Sequence, residues 1–488
     1  MKNFLAFDLG AESGRAMLGV LGDSRLTLEE LHRFPNTPVR TPTGLYWDTF
    51  RLFHEIQQGL AAAGRERRLA LDGVGIDTWG VDFGILGRDG ALVANPMHYR
   101  DSRNDGMLER TFAVVSREEI FRHTGIQFMQ LNSLYQLYAM KLAGSPALDA
   151  AGTLLFMPDL FNYWLTGAKK SELTIASTSQ FYNPVEKRWA TELFDALGLP
   201  AAMLPEIVQP GELLGNLLPH VAEASGLGAT PVYATACHDT ASAVAAVPAE
   251  GEDWCYISSG TWSLMGVELE APVISEGSLR LNFTNEIGAA SRIRFLKNIA
   301  GMWLLQECRR AWTAEGVEYS YEDLTAMAAQ AKPFGAVISP DVFLHPGNMP
   351  ARIAEYCRSK GQAAPEGVGT MCRAIFESLA LRYRQVLESL ESLLGRKMRA
   401  IHIVGGGSRN HVLNQLVADA TGRLVVAGPS EATAAGNVLV QAIGAGLLSG
   451  LGQARCVVRE SFELRAFEPR RSGAWDEAYE RFRRLTGS

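Results

Sequence analysis

The 488-residue chain lacks the features that mark membrane, secreted and nucleic-acid-binding proteins. No apolar run reaches the ~18 residues of a membrane span, and residues 1–3 lead into a strand pattern instead of a secretory signal. The six cysteines are scattered without a Cys-x-x-Cys pair, which favours a reducing compartment. We therefore expect a soluble, cytoplasmic protein. Cys357 and Cys372 flank a small-residue loop, so a disulfide between them remains an open alternative.

The charge balance and the length set further limits. Lys and Arg number 46 against 53 Asp and Glu, and no dense basic stripe is present, which argues against nucleic acid as a partner. A chain of this length exceeds a single core and favours two domains of roughly 200–250 residues. We predict domains over 1–245 and 246–488, in a monomer or weak homodimer without membrane or nucleic-acid partners.

The order of apolar patterns is similar in the two halves. In the first half they predict strands over 4–8, 15–21 and 26–34, a helix over 52–60, two strand pieces between 74 and 86, and mostly helix over 120–165. In the second half they predict strands over 255–258 and 263–267, a long helix over 368–394, a strand over 400–404, a helix over 410–420, a strand over 424–427 and a helix over 432–443. This repetition indicates a duplicated mixed α/β fold.

Two polar turns lie between paired apolar strands, and each suits a nucleotide's phosphates. The first follows Asp8 and runs from Gly10 to Gly14 before Arg15, and the second is Ser259–Thr261. Backbone N–H groups of such turns, together with Arg15, can face phosphate oxygens, while Asp8 can reach a hydrated Mg²⁺. The alternative is that Asp8 only hydrogen-bonds its own turn. The Gly-x-x-x-x-Gly-Lys-Ser/Thr pattern is absent, so this is not a P-loop.

Asp239 is the candidate general base. It lies at a strand-to-helix junction, where a carboxylate can take the proton of a sugar hydroxyl during phosphoryl transfer. The alternative is that Asp239 is simply the N-cap of the following helix. His238 either donates to a substrate hydroxyl or has a purely structural role.

Two glycine-containing bends are weaker candidates. Gly405–Gly407 follows a predicted strand and would let a nucleotide lie against backbone, although a crowded turn explains it equally well. Asp77, Trp79, Gly80 and Asp82 form a polar bend in what we predict to be a buried hairpin. That bend either lines a polyol pocket or is a capped bend with a core tryptophan.

Together these segments resemble the FGGY carbohydrate kinases, members of the actin/hexokinase/Hsp70-like ATPase superfamily. The resemblance covers nearly the whole chain. It rests on short motifs that occur in a specific order: Asp8–Arg15, Gly75–Phe83, Tyr99–Arg103, Gly125–Phe128, Leu134–Leu137, Met157–Asp159, His238–Ala241, Ser258–Gly266, Leu296–Ile299 and His402–Gly407. A histidine before the base, where glycerol and xylulose kinases usually have glycine, favours the branch of the family that phosphorylates L-rhamnulose.

The resemblance implies an α/β fold of two actin-like, ribonuclease H-like domains with an interdomain cleft that holds Mg-ATP and the sugar. Asp239 would be the catalytic proton acceptor and Asp8 the carboxylate near Mg²⁺. The residues expected to contact ATP are Ala11, Glu12, Ser13, Gly14, Arg15, Thr261, Gln306 and Gly406. Those expected to contact the sugar are Gly80, His238, Asp239, Thr240 and Asn298. The chain departs from the family pattern at Glu12, which we expect to point to solvent, and at Ser408.

The activity implied is the ATP-dependent conversion of L-rhamnulose into L-rhamnulose 1-phosphate in rhamnose catabolism. Another ketose, namely L-fuculose, L-ribulose or D-xylulose, is the alternative substrate, because these sugars differ only by a configuration or a methyl group. An alternative from a different class is an ATP-driven module related to chaperones and filament proteins. Such modules lack a sugar-facing base, and the chain leaves no room for a peptide-binding domain.

Overall fold

The computed structural model describes residues 1–470 and 472–487, which form two compact units. The first unit consists of Met1–Pro248, Glu268–Phe295 and Ala432–Ser461. The second consists of Ala249–Val267, Leu296–Glu431 and the described chain from Phe462 onwards. Two segments from the second half of the chain thus belong to the first unit. A division into domains at 245/246 stays a prediction.

The strands and helices of the described chain are defined as follows. The strands are β1 Lys2–Leu9, β2 Ser13–Gly22, β3 Arg25–Pro35, β4 Val39–Thr41, β5 Gly44–Tyr46, β6 Gly73–Thr78, β7 Phe83–Leu86, β8 Thr153–Phe156, β9 Lys170–Glu172, β10 Tyr182–Asn183, β11 Arg188–Trp189, β12 Glu206–Val208, β13 Glu212–Asn216, β14 Pro231–Ala234, β15 Trp254–Ser259, β16 Trp262–Leu269, β17 Thr284–Ile287, β18 Ile293–Ala300, β19 Ala400–Val404, β20 Leu424–Ala427 and β21 Arg465–Phe467. The helices are α1 Thr49–Ala61, α2 Met107–Phe112, α3 Arg117–Thr124, α4 Ser133–Leu142, α5 Pro146–Asp149, α6 Met157–Thr166, α7 Leu173–Ala176, α8 Thr191–Leu197, α9 Pro219–Ser225, α10 Asp239–Ala245, α11 Glu276–Arg280, α12 Trp303–Ala314, α13 Tyr321–Gln330, α14 Met349–Ser359, α15 Val368–Leu394, α16 His411–Thr421, α17 Ala432–Gly444, α18 Leu451–Ser461 and α19 Gly473–Thr486.

The central sheet of the first unit has the strand order β13-β14-β6-β1-β2-β3. Strands β1, β2 and β3 form an antiparallel meander, whereas β6 pairs in parallel with both β1 and β14. The middle of β1, from Phe4 to Phe7, is fully buried, as expected for a central strand covered on both faces. Polar residues at the carboxyl ends of β1 and β6 interrupt this apolar pattern, and the candidate site lies there.

The second unit repeats this order. Its sheet includes β18-β16-β15-β19-β20-β21, although Ile293–Phe295 of β18 belong to the first unit. Strand β15 is antiparallel to β16 and parallel to β19, β19 is parallel to β20, and β20 is antiparallel to β21. In both sheets an antiparallel pair of strands precedes strands that pair in parallel through intervening helices. The expected duplicated α/β architecture is therefore present.

Most of the predicted elements agree with the structure. The long helix and the strands at 400–404 and 424–427 have the predicted bounds. The segment 120–165 is mostly helical, as predicted, because α3, α4, α5 and α6 cover most of it around the short strand β8. One interpretation was wrong. The strand pieces between 74 and 86 do not form a hairpin, because β6 pairs with β1 and β14 whereas β7 pairs with β8.

The cysteines are free thiols, and the predicted alternative of a Cys357–Cys372 bridge is absent from the structure. Both of these side chains are buried, and burial raises the pKa of each thiol above its ordinary value. Among the described helices none combines the length and the apolar character needed to cross a membrane.

Candidate active site

The candidate site of the first unit lies where the parallel strands β1, β6 and β14 end. Asp8 is the penultimate residue of β1, and Asp77 is the penultimate residue of β6. The segment after β14 continues alongside β6, since Thr78 donates its N–H to the Cys237 carbonyl at 2.9 Å. His238 and Asp239 follow at once. Ligands of open α/β sheets bind at such carboxyl ends.

Asp8 forms an ion pair across the first turn. Asp8 and Arg15 are register partners on β1 and β2, and Arg15 Nη2 lies 2.6 Å from Asp8 Oδ2. Asp8 thus binds the side chain that follows the turn, and its proposed contact with Mg²⁺ stays a prediction. The turn is closed by the Gly10 N–H, which donates to the Ser13 carbonyl at 2.9 Å. Glu12 is exposed, as expected. The contacts of Ala11, Ser13, Gly14 and Arg15 with a nucleotide stay predictions.

Asp77 joins Asp8 as a second acid, which sequence reasoning placed in a polyol-binding or capped bend. It is the register partner of Asp8 on β6 and is completely buried. Its Oδ2 accepts a hydrogen bond of 2.6 Å from Asn437 Nδ2. Burial, and then the negative charge of Asp8, hold the pKa of Asp77 well above its ordinary value. The signal that would have found it is the parallel register of two strands that each end in an acid.

Asp239 is recessed and yet accessible. His238 is the N-cap residue of α10 and Asp239 its first helical residue, so the N-cap interpretation of Asp239 is wrong. Thr240 Oγ1 donates to Asp239 Oδ1 at 3.0 Å. About a third of the side chain, 31%, is exposed. Burial, and then the charge of Asp8, raise the pKa of Asp239 to about 7.

Three of the predicted sugar-contacting residues lie close to this carboxylate. His238 Nε2 lies 3.4 Å from Asp239 Oδ1, and Thr240 is the hydroxyl donor to the same oxygen. A Cβ placed on Gly80 would lie 3.4 Å from His238 Nε2 and 3.2 Å from Thr178 Oγ1. The missing side chain at Gly80 thus leaves the imidazole edge open. Their contacts with a sugar stay predictions.

The remaining polar residues of the bend are structural. Trp79 and Asp82 are 5% and 1% exposed. Asp82 Oδ2 accepts from the indole N–H groups of Trp47, at 2.6 Å, and Trp79, at 3.0 Å. Burial raises the pKa of Asp82 to about 6. For these two residues the interpretation as a capped bend with a core tryptophan is correct, and they do not line a polyol pocket.

Glu172 holds the segment that carries the candidate base, and no pattern in the sequence predicts this role. The Glu172 carboxylate caps α7 by accepting the N–H groups of Thr174 and Ile175, and Oε2 also accepts the Cys237 N–H at 3.1 Å. Thr174 Oγ1 in turn accepts the His238 N–H at 3.1 Å. Burial raises the pKa of Glu172 to about 7. Glu172 and Thr174, at the start of α7, therefore fix the backbone that leads into Asp239.

The second unit brings together Thr261 and Gln306. The Gly260 and Thr261 carbonyls accept the N–H groups of Met302 and Trp303 at 3.0 and 3.1 Å, so the β15–β16 turn is fixed to the start of α12. Gln306 lies one turn further along α12, and its Oε1 is buried without a hydrogen-bond partner. An acceptor left unpaired in this way costs about 1–3 kcal/mol and is the kind of group that a ligand satisfies.

The glycine turn after β19 packs against the same strand end. A Cβ on Gly407 would overlap Ser259 Oγ, and a Cβ on Gly405 would lie 3.1 Å from the Ser259 carbonyl oxygen. Gly406 differs, since it is exposed and a Cβ there would meet nothing within 4 Å. Asn298 is half-buried on β18, three residues before Gly301, where a Cβ would meet Trp262 and Ser263. Thr261, Gln306 and Gly406 thus surround one strand end.

The two glycines are expected to respond oppositely to substitution by alanine. Gly407→Ala should lower the free energy of unfolding by about 1–3 kcal/mol, because Ser259 is packed and must move. Gly406→Ala should leave stability within about 0.5 kcal/mol but raise the KM for ATP, if a nucleotide lies against this turn. Denaturant unfolding and ATP titrations measure the two effects. An unchanged KM for ATP in a bulkier Gly406→Val variant would contradict nucleotide contact at this position.

The acids of the first unit fit a magnesium ion that arrives with a nucleotide. Among the described residues no group of three or more His, Cys, Asp or Glu side chains is arranged to hold a metal. Mg²⁺ bound to nucleotide phosphates takes only one or two protein carboxylates and keeps several waters. Asp8, at a strand end beside Asp77, supplies the hard oxygen donor that this requires.

Two family models match the chain, both described as the FGGY family of carbohydrate kinases. The N-terminal domain model matches residues 3–246, and the C-terminal domain model matches residues 255–445. By class the protein is a sugar kinase, which uses ATP as its phosphoryl donor. It belongs to the FGGY family of carbohydrate kinases. That membership favours a kinase over the alternative of an ATP-driven binding module.

Curated relatives support a finer resemblance. The rhamnulokinase of Bacteroides thetaiotaomicron is 48% identical over 484 residues, covering 99% of each chain. The rhamnulokinase of Oceanobacillus iheyensis is 41% identical over 462 residues, covering 94% of this chain and 97% of its own. That of Pectobacterium atrosepticum is 41% identical over 490 residues, covering 100% and 97%. The predicted resemblance to this branch of the family is confirmed.

Solved structures show the same fold. A xylulose kinase from Lactobacillus acidophilus superposes with a TM-score of 0.81 at 16% identity, covering 100% of this chain and 96% of that one. A glycerol kinase from Plasmodium falciparum, solved with ADP, has a TM-score of 0.78 at 15% identity and covers 99% and 98%. The predicted two-domain α/β kinase fold is confirmed.

Proposed function

We propose that the protein transfers the γ-phosphoryl group of ATP to L-rhamnulose, giving L-rhamnulose 1-phosphate and ADP. The observation that carries the proposal is the Asp239 carboxylate, which is recessed, 31% exposed and held at a pKa of about 7. A base whose pKa lies near the working pH combines a useful ionised fraction with proton affinity. The sugar is taken from the names of the relatives that are 48% and 41% identical.

Each residue of the site has a defined task in this reaction. The Asp239 carboxylate, 31% exposed, accepts the proton of the sugar hydroxyl as the oxygen–phosphorus bond forms. His238 and Thr240 orient the sugar beside it, together with Gly80 and Asn298. Asp8 holds Mg²⁺, which neutralises phosphate charge when bound. The N–H groups and side chains of Ala11–Arg15, with Thr261, Gln306 and Gly406, bind ATP.

A sugar panel tests this function. We would measure ADP release with Mg-ATP and L-rhamnulose, L-fuculose, L-ribulose, D-xylulose or glycerol, and with no sugar. The expected result is a kcat/KM at least about 10-fold higher for L-rhamnulose, which corresponds to roughly 1.4 kcal/mol of discrimination. A preference for another ketose would retain the kinase and the base but replace the substrate. ADP release that is indifferent to every sugar would overturn the assignment.

The reaction should require a deprotonated Asp239, so kcat/KM for the sugar should rise with pH. Since kcat/KM reports the free enzyme, the acid limb should have its midpoint at a pH of about 7, with activity lost below it. Because the charge of Asp8 contributes to raising this pKa, Asp8→Asn should move the midpoint to lower pH, besides weakening the use of Mg-ATP. A pH-independent kcat/KM between pH 5.5 and 8.5 would contradict Asp239 as the base.

A further inference from the structure

Arg294 is a buried cation directly behind the candidate sugar-binding histidine. It lies on β18 and its side chain is 0% exposed. Its Nε and Nη2 both donate to the Ile287 carbonyl at 3.1 Å, and Nη2 lies 3.1 Å from Glu286 Oε2. A guanidinium keeps its charge even when buried, so Glu286 serves as its counter-ion. Arg294 and Glu286 thus form a buried ion pair within the first unit.

The Arg294 guanidinium determines which nitrogen of His238 carries the proton. Arg294 Nη2 lies 3.0 Å from His238 Nδ1. A guanidinium only donates hydrogen bonds, so Nδ1 must accept and the proton of the neutral ring lies on Nε2. In the opposite tautomer His238 Nδ1 would carry the hydrogen. That N–H would point at Glu286 Oε2, which lies 3.5 Å from Nδ1, and its hydrogen would clash with the hydrogens of Arg294 Nη2. The 3.0 Å contact therefore excludes it.

The other edge of the imidazole agrees with this assignment. Nε2 lies 3.4 Å from Asp239 Oδ1, and an ionised carboxylate oxygen prefers a donor as its neighbour. The charged groups around the ring are Arg294, Glu286 and Asp239. Burial, and then the charge of Arg294, keep the pKa of His238 well below its ordinary value, so the ring stays neutral. Gly80 leaves Nε2 reachable, since even a Cβ there would lie 3.4 Å away.

We propose that Arg294 is a positioning residue which fixes His238 as the neutral Nε2–H tautomer, so that its N–H faces the sugar beside Asp239. The proposal rests on the sugar kinase function given above. In this state both imidazole nitrogens are committed, Nδ1 to Arg294 and Nε2 to donation. His238 then has no lone pair with which to compete for the sugar's proton. Asp239 remains the single proton acceptor, and His238 aligns the hydroxyl.

The first test measures the tautomer itself. Protein labelled with ¹⁵N-histidine gives long-range ¹H–¹⁵N spectra that distinguish a protonated from an unprotonated ring nitrogen, and His238→Gln identifies the signal. In the unliganded wild-type protein we expect an unprotonated Nδ1 and a protonated Nε2, unchanged from pH 6 to 8. A protonated Nδ1, or a ring that titrates in this range, would overturn the proposal.

The second test removes the donor. In Arg294→Met we expect a mixed or titrating His238 signal and a fall in kcat/KM for L-rhamnulose of about 10–100-fold, which corresponds to one hydrogen bond lost or misdirected. Most of the fall should appear in the KM for the sugar, with the KM for ATP unchanged. An altered tautomer with normal kcat/KM would show that the proton position does not matter and would overturn the functional part.

Controls separate positioning from stability. Because Arg294→Met removes the cation beside Glu286, the double variant Arg294→Met/Glu286→Gln removes both charges and should show the same altered tautomer and KM. Arg455→Met is the matched control. It breaks another largely buried ion pair of the same unit, to Glu268 at 2.5 Å, and should leave the His238 signal and the sugar KM unchanged. Equal loss of sugar binding in Arg455→Met would reduce Arg294 to a structural residue.

Different outcomes test the proposed function and the role of Arg294. If the wild-type protein phosphorylates none of the sugars, the proposed function is wrong, whereas the tautomer measured without ligand still tests the contact between Arg294 and His238. If the protein phosphorylates L-rhamnulose but Nδ1 is protonated, the function stands and the role of Arg294 is wrong.

Discussion

Replacing Asp239 by Asn is expected to lower kcat by about 10²–10⁴-fold, the range for a lost general base. The amide is nearly isosteric and still offers an oxygen to Thr240, which now donates to Oδ1 at 3.0 Å. The sugar should therefore bind with a Kd within a few-fold of the wild-type value. Single-turnover kinetics with equilibrium sugar binding separate the two quantities. Near-normal turnover in this variant would exclude Asp239 as the base.

The same variant should be more stable than the wild-type protein at pH 8. The folded-state pKa of about 7 exceeds the unfolded value of about 3.9, so ionisation of Asp239 favours unfolding as the pH rises through this interval. The full linkage would be about 4 kcal/mol, and with 31% of the side chain exposed we expect about half of it. A gain of about 2 kcal/mol in the free energy of unfolding at pH 8 should vanish near pH 4.

That stability measurement is also the control for the catalytic experiment. A variant that is inactive because it is misfolded would lose stability at every pH. The exposed Asp149 offers a matched substitution, since Asp149→Asn makes the same chemical change away from the site and should alter neither kcat nor stability. If Asp239→Asn proved less stable than the wild-type protein at pH 8, the lost activity would say nothing about proton transfer.

Local patterns were sufficient for much of the fold. The helix over 368–394 has apolar residues at spacings of three and four along its whole length, and its bounds were correctly predicted. The strands that flank Asp8 and the acid itself were found because strand, polar turn and strand are contiguous in sequence. The same is true of Asp239, which follows the short strand β14 after four residues and begins α10.

The residues that sequence reasoning missed act through contacts between distant parts of the chain. Arg294 reaches His238 across 56 positions, Glu172 reaches Cys237 across 65, and Asn437 reaches Asp77 across 360. No spacing rule connects such residues, because only the pairing of strands and the packing of helices brings them together. Their polar character was visible, but their partners were not.

The error over the segment between 74 and 86 has the same origin. Two apolar pieces separated by a polar bend have the pattern of a hairpin. Here the chain leaves the sheet after β6, and β7 instead pairs with β8, which begins at Thr153. Alternation within a strand reports which faces are buried and does not report the partner strand. The mistake placed Trp79 and Asp82 beside a pocket, when both are buried under Trp47.

Gly436→Ala is expected to destabilise the protein by about 3 kcal/mol and to lower kcat, although Gly436 is not in the site. It lies on α17 where this helix crosses α10, and a Cβ would overlap the carbonyl group of Ser242. Backbone cannot rotate away as a side chain can, so α10, whose first residue is Asp239, must shift. Denaturant unfolding and kcat for the sugar measure both effects.

Gly452→Ala is the matched control, at a helical glycine where a Cβ would meet nothing within 4 Å. This variant should be as stable as the wild-type protein or up to about 1 kcal/mol more stable. Equal stability in the two variants would mean that the helices do not meet this closely.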